Sequence, residues 1–206
     1  MYKELFMSLI ITNINQLNLN DSYSYADYLL WQFSERVEII KGKIFKMIPA
    51  PSSSHQDISM NLTRILDKYF YKSSSKFYVA PFDVRLINYK DSTAENQIHT
   101  VVQPDLCVIC DRSKIDEKGC LGSPDLVVEI LSLGNSKKEM DIKFDLYQEN
   151  KILEYWIVDP SQKTILIYVL ENDRYIGLKP FLIDSKIESP TFLKIKFSVK
   201  KVFEIL

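Results

Sequence analysis

The feature that most constrains the fold is the segment SPDLVVEILSLGNSKKEMDIKFDLYQENK, residues 123–151, in which an apolar strand carries a charged residue. Residues 126–131 form an apolar run of strand length, and Glu129 lies in its middle. Charged side chains are rarely buried without a partner or a function. Glu129 is therefore expected to be an edge residue, one half of a structural ion pair, or an active-site carboxylate.

The helix that follows this strand is predicted to run from about residue 138 to residue 150. At about 100° per residue, Phe144 and Tyr147 share its apolar side, and Lys143 lies within the same arc. We expect Lys143 to face the sheet that carries Glu129. The alternative is a lysine whose stem follows the apolar surface until its ammonium reaches water.

The remaining pattern predicts one α/β domain with a mixed sheet, on the border of α+β. The chain of 206 residues is long enough for such a domain, and it shows no internal repeat and no glycine-rich phosphate-binding loop. The predicted elements are helices at 24–33 and 56–72, a hairpin at 36–48 that turns at Lys41-Gly42, strands at 76–87, 100–110, 126–131 and 154–160, and further strands toward the C-terminus.

Composition narrows the class of protein. The net charge of -1 excludes a strongly basic nucleic-acid binder but permits a local basic surface. The three cysteines, Cys107, Cys110 and Cys120, have no framework spacing, which is typical of reduced thiols in the cytoplasm. Cys107 and Cys110 would point to opposite faces of a strand, which favours packing over a zinc site. The apolar run at residues 5–11 is too short to span a membrane, so we expect a cytoplasmic protein without a membrane partner.

A second carboxylate, Asp105, begins the strand-like run PDLCVIC. Two carboxylates on neighbouring strands, close to one edge of the sheet, can hold a hard divalent cation, because such ions prefer oxygen ligands. A lysine beside them can stabilise an attacking hydroxide and the negative charge that develops on a phosphate. Asp105, Glu129 and Lys143 together therefore favour a metal-dependent phosphodiesterase site over three unrelated structural charges.

These segments resemble the Uma-type restriction endonuclease family of the PD-(D/E)XK nuclease superfamily, long classed as a domain of unknown function. The resemblance runs from about Tyr25 to Leu170. It implies a restriction-endonuclease-like core, a mixed β-sheet flanked by helices, with an N-terminal helix and hairpin and extra C-terminal strands, in a single domain of residues 1–206. The strings that carry it are VEIIKGKIFKMIPAPSSSHQ, VQPDLCVIC, GSPDLVVEILS and KKEMDIKFDLYQENKILEYWIVDP.

The resemblance implies roles for individual residues. Asp105 and Glu129, with the backbone carbonyl of Ile130, are expected to bind Mg²⁺, with Mn²⁺ as the alternative ion. Of the two Pro-Asp pairs, the one with Asp105 matches the family's metal ligand rather than the one with Asp125, because it lies one strand before the glutamate.

The motif lysine is absent from its usual position, which Leu131 occupies. We expect Lys143 to bring a migrated ammonium to the same place, where it would orient the nucleophile and stabilise the phosphorane. Glu38 is a further acidic candidate for the catalytic site, with a surface glutamate as the equal alternative. The candidate substrate contacts are His55, Gln56, Ser132, Lys137 and Lys138. For His55, a helix cap or a loop contact is an alternative of at least equal weight.

The expected function is that of an Mg²⁺-dependent endonuclease acting on DNA, with a homodimer expected if both strands are cut. One alternative is a catalytically weak or inactive nucleic-acid-binding or interaction module that retains the fold. Another is an acid–base hydrolase of a different substrate that uses Glu38 and Glu129 without a metal. That alternative gives Lys143 no role.

Overall fold

The structure is a computed structural model. Among the residues it describes, no helix is both long and apolar enough to cross a membrane. The described residues are 10–47, 52–87, 93–132 and 137–204, and the side chains of residues 137–139 are not included.

The chain divides into two compact units, each assembled from two stretches of sequence. Unit 1 combines Met1–Pro49 with Arg85–Val102. Unit 2 combines Ala50–Val84 with Gln103–Leu206. A single domain over residues 1–206 stays a prediction.

The described residues contain helices and many short strands. The helices are α1 (Tyr25–Tyr28), α2 (Ser53–Phe70) and α3 (Lys137–Glu149). The strands are β1 (Val37–Ile40), β2 (Lys43–Lys46), β3 (Lys76–Val79), β4 (Val84–Arg85), β5 (Val101–Val102), β6 (Leu106–Ile109), β7 (Ile115–Asp116), β8 (Gly119–Leu121), β9 (Leu126–Ile130), β10 (Glu154–Asp159), β11 (Thr164–Glu171), β12 (Arg174–Gly177), β13 (Lys186–Glu188) and β14 (Lys196–Ser198).

Unit 1 contains the predicted hairpin. Strands β1 and β2 pair antiparallel, and the turn between them falls at Lys41 and Gly42, whose φ angles are 50° and 80°. Positive φ at both turn residues is what a two-residue hairpin of matching twist requires. β1 also pairs antiparallel with β5 through Ile39 and Val101. Its Glu38 is buried.

Unit 2 is built on a mixed sheet with the strand order β12-β11-β10-β9-β6-β3. The neighbours β9 and β10 run parallel, and the other neighbouring pairs are antiparallel. The parallel pair needs a crossover, which α3 supplies between them. The predicted α/β class with a mixed sheet flanked by helices is confirmed.

The two faces of β9 carry different chemistry. Leu126, Val128 and Ile130 lie in a buried apolar core with Ile58 and Leu62 of α2. Because side chains alternate along a strand, Glu129 lies on the opposite face. α3 covers that face, as the contacts of the site below show. The alternation of β9 therefore separates the apolar core from the face that carries the charged site.

One predicted strand is interrupted. The segment 100–110 forms β5 and β6, with Gln103, Pro104 and Asp105 between them. Proline has no N–H to donate to a strand ladder, which favours a break at Pro104. The break leaves Asp105 directly before β6, at the end of the sheet of unit 2. The segment predicted as a loop at 111–123 instead contains a small hairpin. Its strands β7 and β8 pair antiparallel, with Ile115 opposite Cys120.

A second carboxylate is buried in the same sheet. Glu154 on β10 is fully buried, and its oxygens accept hydrogen bonds from Trp156 Nε1 at 2.7 Å, Ser189 Oγ at 2.8 Å and Thr191 N at 3.1 Å. These donors replace the water lost on burial. Glu154 therefore ties β10 to the C-terminal segment, which is a structural role.

Candidate active site

Asp105 and Glu129 lie next to each other on neighbouring strands. The antiparallel register pairs Leu106 with Val128. One step beyond that pair, Asp105 is opposite Glu129, and directly opposed residues of an antiparallel pair share a face. The backbone N–H of Ile130 donates to Asp105 Oδ2 at 2.7 Å, which fixes the carboxylate at the strand end. The sheet thus places two carboxylates side by side.

Lys143 reaches this pair from α3. Its Nζ donates to Glu129 Oε1 at 2.8 Å, and the two side chains are only 16% and 13% exposed. A half-buried ion pair is screened by solvent less than a surface pair. The structure therefore brings Lys143 to Glu129, as the helical periodicity predicts. Leu131, which occupies the usual position of the motif lysine, lies directly after β9 and is half-buried.

Tyr147 is a site residue that the sequence reasoning missed. The helical pattern predicts a core residue, and Tyr147 is fully buried, but its hydroxyl also donates to Glu129 Oε1 at 2.6 Å. Its ring packs edge-to-face against Tyr155 at 5.0 Å. The available signal was its position one helical turn after Lys143, because residues four apart share a helix face.

His55 lies at the other carboxylate. Its Nε2 is 3.3 Å from Asp105 Oδ2, and the ring lies in the first turn of α2, where Ser52 Oγ accepts from His55 N at 3.2 Å. The Nδ1 atom is buried, and among the described residues it has no hydrogen-bond partner. The sequence predicts a phosphate contact or a cap for His55. The structure directs its side chain to Asp105, and a contact with substrate stays a prediction.

The surroundings raise the pKa of His55 above its ordinary value of 6.5. Burial, the largest influence, lowers the pKa, but the other influences together outweigh it. These are the hydrogen bond and negative charge of Asp105, the charge of Glu129 and the backbone carbonyl of Ile130. The raised pKa favours the imidazolium form of His55 beside Asp105.

The remaining predicted site residues are Glu38, Gln56, Ser132, Lys137 and Lys138. Glu38 is buried on β1 of unit 1, and its catalytic role stays a prediction. Gln56 is exposed in the first turn of α2, and Ser132 is half-buried beyond the end of β9. Lys137 and Lys138 open α3, but their side chains lie outside the described residues.

Asp125, the aspartate of the second Pro-Asp pair, lies at the opposite end of β9 from the site. Its Oδ2 accepts a hydrogen bond from the backbone N–H of Cys110 at 2.7 Å. It therefore secures the strand end there, away from the Asp105 and Glu129 pair. Cys107 is buried, as the expected packing role requires, but Cys110 is exposed directly after β6, so that expectation is wrong for Cys110.

The donor set decides which ion suits the site. Within the described ranges, no cluster of three or more His, Cys, Asp or Glu side chains is arranged to hold a metal. Asp105, Glu129 and the carbonyl of Ile130 offer oxygen atoms alone. Mg²⁺ is commonly bound through one or two carboxylates and keeps several waters, whereas structural zinc prefers four nitrogen or sulfur ligands. The residues present fit magnesium.

Comparisons with known proteins give the chain its relatives. It is 26% identical over 153 residues to an uncharacterized protein of Synechocystis sp.. The matched region covers 73% of this chain and 75% of that protein. The crystal structure of "a putative nuclease belonging to DUF820" from Anabaena variabilis matches with a TM-score of 0.67 at 20% identity, covering 88% of this chain and 97% of that one. This second likeness shows a shared fold.

The family comparison covers most of the chain and agrees with the resemblance seen in the sequence. Residues 25–200 match the family model of Uma2, which is described as "Putative restriction endonuclease". This range includes α1 to α3 and the sheet that carries Asp105 and Glu129. The chain belongs to the Uma2 family.

Proposed function

We propose that this chain is a metal-dependent nuclease that hydrolyses phosphodiester bonds of DNA. The observation that carries the proposal is the convergence of Asp105, Glu129 and Lys143 at one end of the sheet, with the ammonium 2.8 Å from Glu129 Oε1. The Uma2 family and the Anabaena variabilis protein are both described as nucleases, which supports it. A merely structural ion pair would not require a second carboxylate directly beside it.

In this proposal Asp105, Glu129 and the carbonyl of Ile130 hold Mg²⁺, or Mn²⁺ in its place. When bound, the ion would supply Lewis-acid chemistry at the scissile phosphate. The negative charge of the two carboxylates repels a phosphate, and a bound cation would reverse the sign of the charge that the substrate meets there.

Lys143 is the group that would stabilise the negative charge developing on the phosphate. Its ammonium is a compact point charge on a flexible four-carbon stem, so it can turn from Glu129 toward a phosphate oxygen. After that turn, the ammonium would stabilise the negative charge that builds on the phosphate in the transition state. His55 places a second basic side chain at the site, with its Nε2 3.3 Å from Asp105 Oδ2.

The DNA specificity, the endonuclease activity and a homodimer belong to the same proposal. A two-fold dimer would present one site to each strand of a duplex, so double-strand cleavage by a single-site protein would favour such a dimer. A cytoplasmic location, predicted from the cysteines, fits a protein that acts on cellular or invading DNA. The alternative is a nucleic-acid-binding module that retains the fold without turnover.

The test is a calorimetric titration of Mg²⁺ and Mn²⁺ into the wild type and into Glu129→Gln, with a parallel assay of supercoiled DNA nicking. Glu188→Gln is the matched control, because Glu188 is exposed and forms an ion pair with Lys196 at 3.0 Å. We expect metal binding and nicking in the wild type and control, and neither in Glu129→Gln. A wild type that binds no metal at millimolar concentration and leaves DNA intact would favour the binding module.

A further inference from the structure

The contact between Tyr147 and Glu129 has no place in the proposed chemistry, yet it is short and shielded from solvent. The phenol donates to Glu129 Oε1 at 2.6 Å, and Tyr147 is fully buried. Hydrogen bonds to an ionised acceptor are shorter and about twice as strong as neutral ones. A phenylalanine would fill the same space, so the hydroxyl is the part of this residue that packing does not explain.

The same carboxylate oxygen receives two donors from one helix face. Lys143 Nζ donates to Glu129 Oε1 at 2.8 Å, alongside the hydroxyl of Tyr147. Residues four apart on a helix lie one above the other, so α3 delivers both donors from neighbouring turns. Two donors on one oxygen restrict rotation of the carboxylate and fix the direction of its second oxygen.

The two donors differ in how freely they move. Lys143 has a long flexible stem and a charge that a phosphate attracts, whereas the ring of Tyr147 is held by the edge-to-face contact with Tyr155 at 5.0 Å. The helix itself is fixed by Phe144, whose ring lies 4.9 Å from that of Tyr168 and 5.2 Å from that of Tyr175. Of these two donors, the tyrosine is the one that can hold Glu129 when the lysine turns away.

We propose that Tyr147 is a positioning residue that holds the carboxylate of Glu129 in its metal-binding orientation, independently of where Lys143 points. This inference rests on the proposed function for its consequence, the support of a metal ligand. Groups that orient metal ligands typically contribute about 10- to 100-fold to metal affinity or activity.

The first test uses the metal-free chain, so that it does not depend on the proposed function. A double-mutant cycle combines Tyr147→Phe with Glu129→Met, and urea denaturation measures the unfolding equilibrium. We expect Tyr147→Phe to raise the unfolding constant about tenfold in the wild-type background, because a charge-assisted bond is lost. In the Glu129→Met background the same change should have little effect, and equal effects in both backgrounds would overturn the proposal.

The second test measures metal affinity and turnover. Tyr175→Phe is the matched control, because Tyr175 is a buried tyrosine of the same aromatic cluster whose hydroxyl donates to the carbonyl of Ile152 at 3.0 Å. We expect Mg²⁺ binding to weaken about 10- to 100-fold in Tyr147→Phe, with a lower kcat and an unchanged KM for DNA. Tyr175→Phe should keep wild-type affinity.

The outcomes separate the two proposals. Wild-type affinity in Tyr147→Phe, or an equal loss in Tyr175→Phe, would reduce Tyr147 to a packing residue and overturn the positioning role. A wild type that binds no metal would contradict the proposed nuclease, and the double-mutant cycle would then decide the positioning of Glu129 by itself.

Discussion

His55 contacts the carboxylate of Asp105 in the same way that Lys143 contacts the carboxylate of Glu129. The imidazole Nε2 lies 3.3 Å from Asp105 Oδ2, and the ammonium lies 2.8 Å from Glu129 Oε1. Each of the two carboxylates therefore contacts a basic side chain of the chain itself. A divalent cation bound by the same carboxylates would compete with these basic side chains, which makes metal affinity and turnover separable by mutation.

Replacing Lys143 by methionine should separate them most clearly. The change removes a competing cation, so we expect Mg²⁺ affinity measured by calorimetry to stay equal or increase. It also removes the positive charge that would stabilise the negative charge of the transition state, so DNA nicking should fall about 100- to 1000-fold. The control is Lys151→Met, because Lys151 forms an exposed ion pair with Asp173 at 2.6 Å. Metal affinity that falls in parallel with nicking would mean that Lys143 only supports Glu129.

The two Pro-Asp pairs can be distinguished by heat. A ligand present at 100 times its Kd stabilises the folded state by about 2.7 kcal/mol, so Mg²⁺ should raise the Tm of the wild type by several degrees. Asp105→Asn should abolish this rise. Asp125→Asn should lower the Tm itself, because Asp125 accepts from the N–H of Cys110 at 2.7 Å, and should keep the rise. The reverse result in calorimetric scans would exchange the two roles.

Glu154 should be important for stability and unimportant for metal binding. Glu154→Ala leaves three buried donors, from Trp156, Ser189 and Thr191, without their acceptor. We expect a loss of about 3 kcal/mol or more in the free energy of unfolding measured in urea. The exposed Glu188→Ala should change it by less than about 0.5 kcal/mol. Weakened Mg²⁺ binding by folded Glu154→Ala would contradict a purely structural role.

The three cysteines should differ in reactivity. Cys107 and Cys120 are buried, so only Cys110 should react with iodoacetamide in the folded chain. Burial, together with the negative charge of Asp125, raises the pKa of Cys110 above its ordinary value, although a hydrogen bond from Ser75 acts in the opposite direction. Because the thiolate is the reactive form, the rate should climb about tenfold per pH unit from pH 7 to pH 9.

Mass spectrometry of timed samples would check this order, with Cys110→Ser as the control that should lose the early modification. A rate that levels off below pH 8 would contradict the raised pKa. Early modification of Cys107 or Cys120 would contradict their burial.

The sequence alone determined the elements whose signals are local. Alternation along residues 126–130 predicts β9, and the helical period predicts that Lys143 faces the sheet. Side-chain directions repeat every two residues along a strand and every 3.6 residues along a helix, so both predictions follow from fixed local geometry. The resemblance to the Uma-type family selected Asp105 over Asp125, because Asp105 lies one strand before Glu129. The strand order of the structure agrees, since β6 is the neighbour of β9.

Only the tertiary structure decided which buried charge serves a site. Glu129 and Glu154 are both carboxylates in apolar strands, and no local pattern separates them. Glu154 meets Trp156, Ser189 and Thr191, whereas Glu129 meets Lys143 and Tyr147 beside a second carboxylate. Packing between segments distant in the chain sets those partners: α3 packs on β9 at Glu129, and the segment after β13 packs on β10 at Glu154. The packing of α3 makes Tyr147 a hydrogen-bond donor to Glu129 as well as a core residue, because helical periodicity predicts which side chains face the sheet but not which acceptor they meet there.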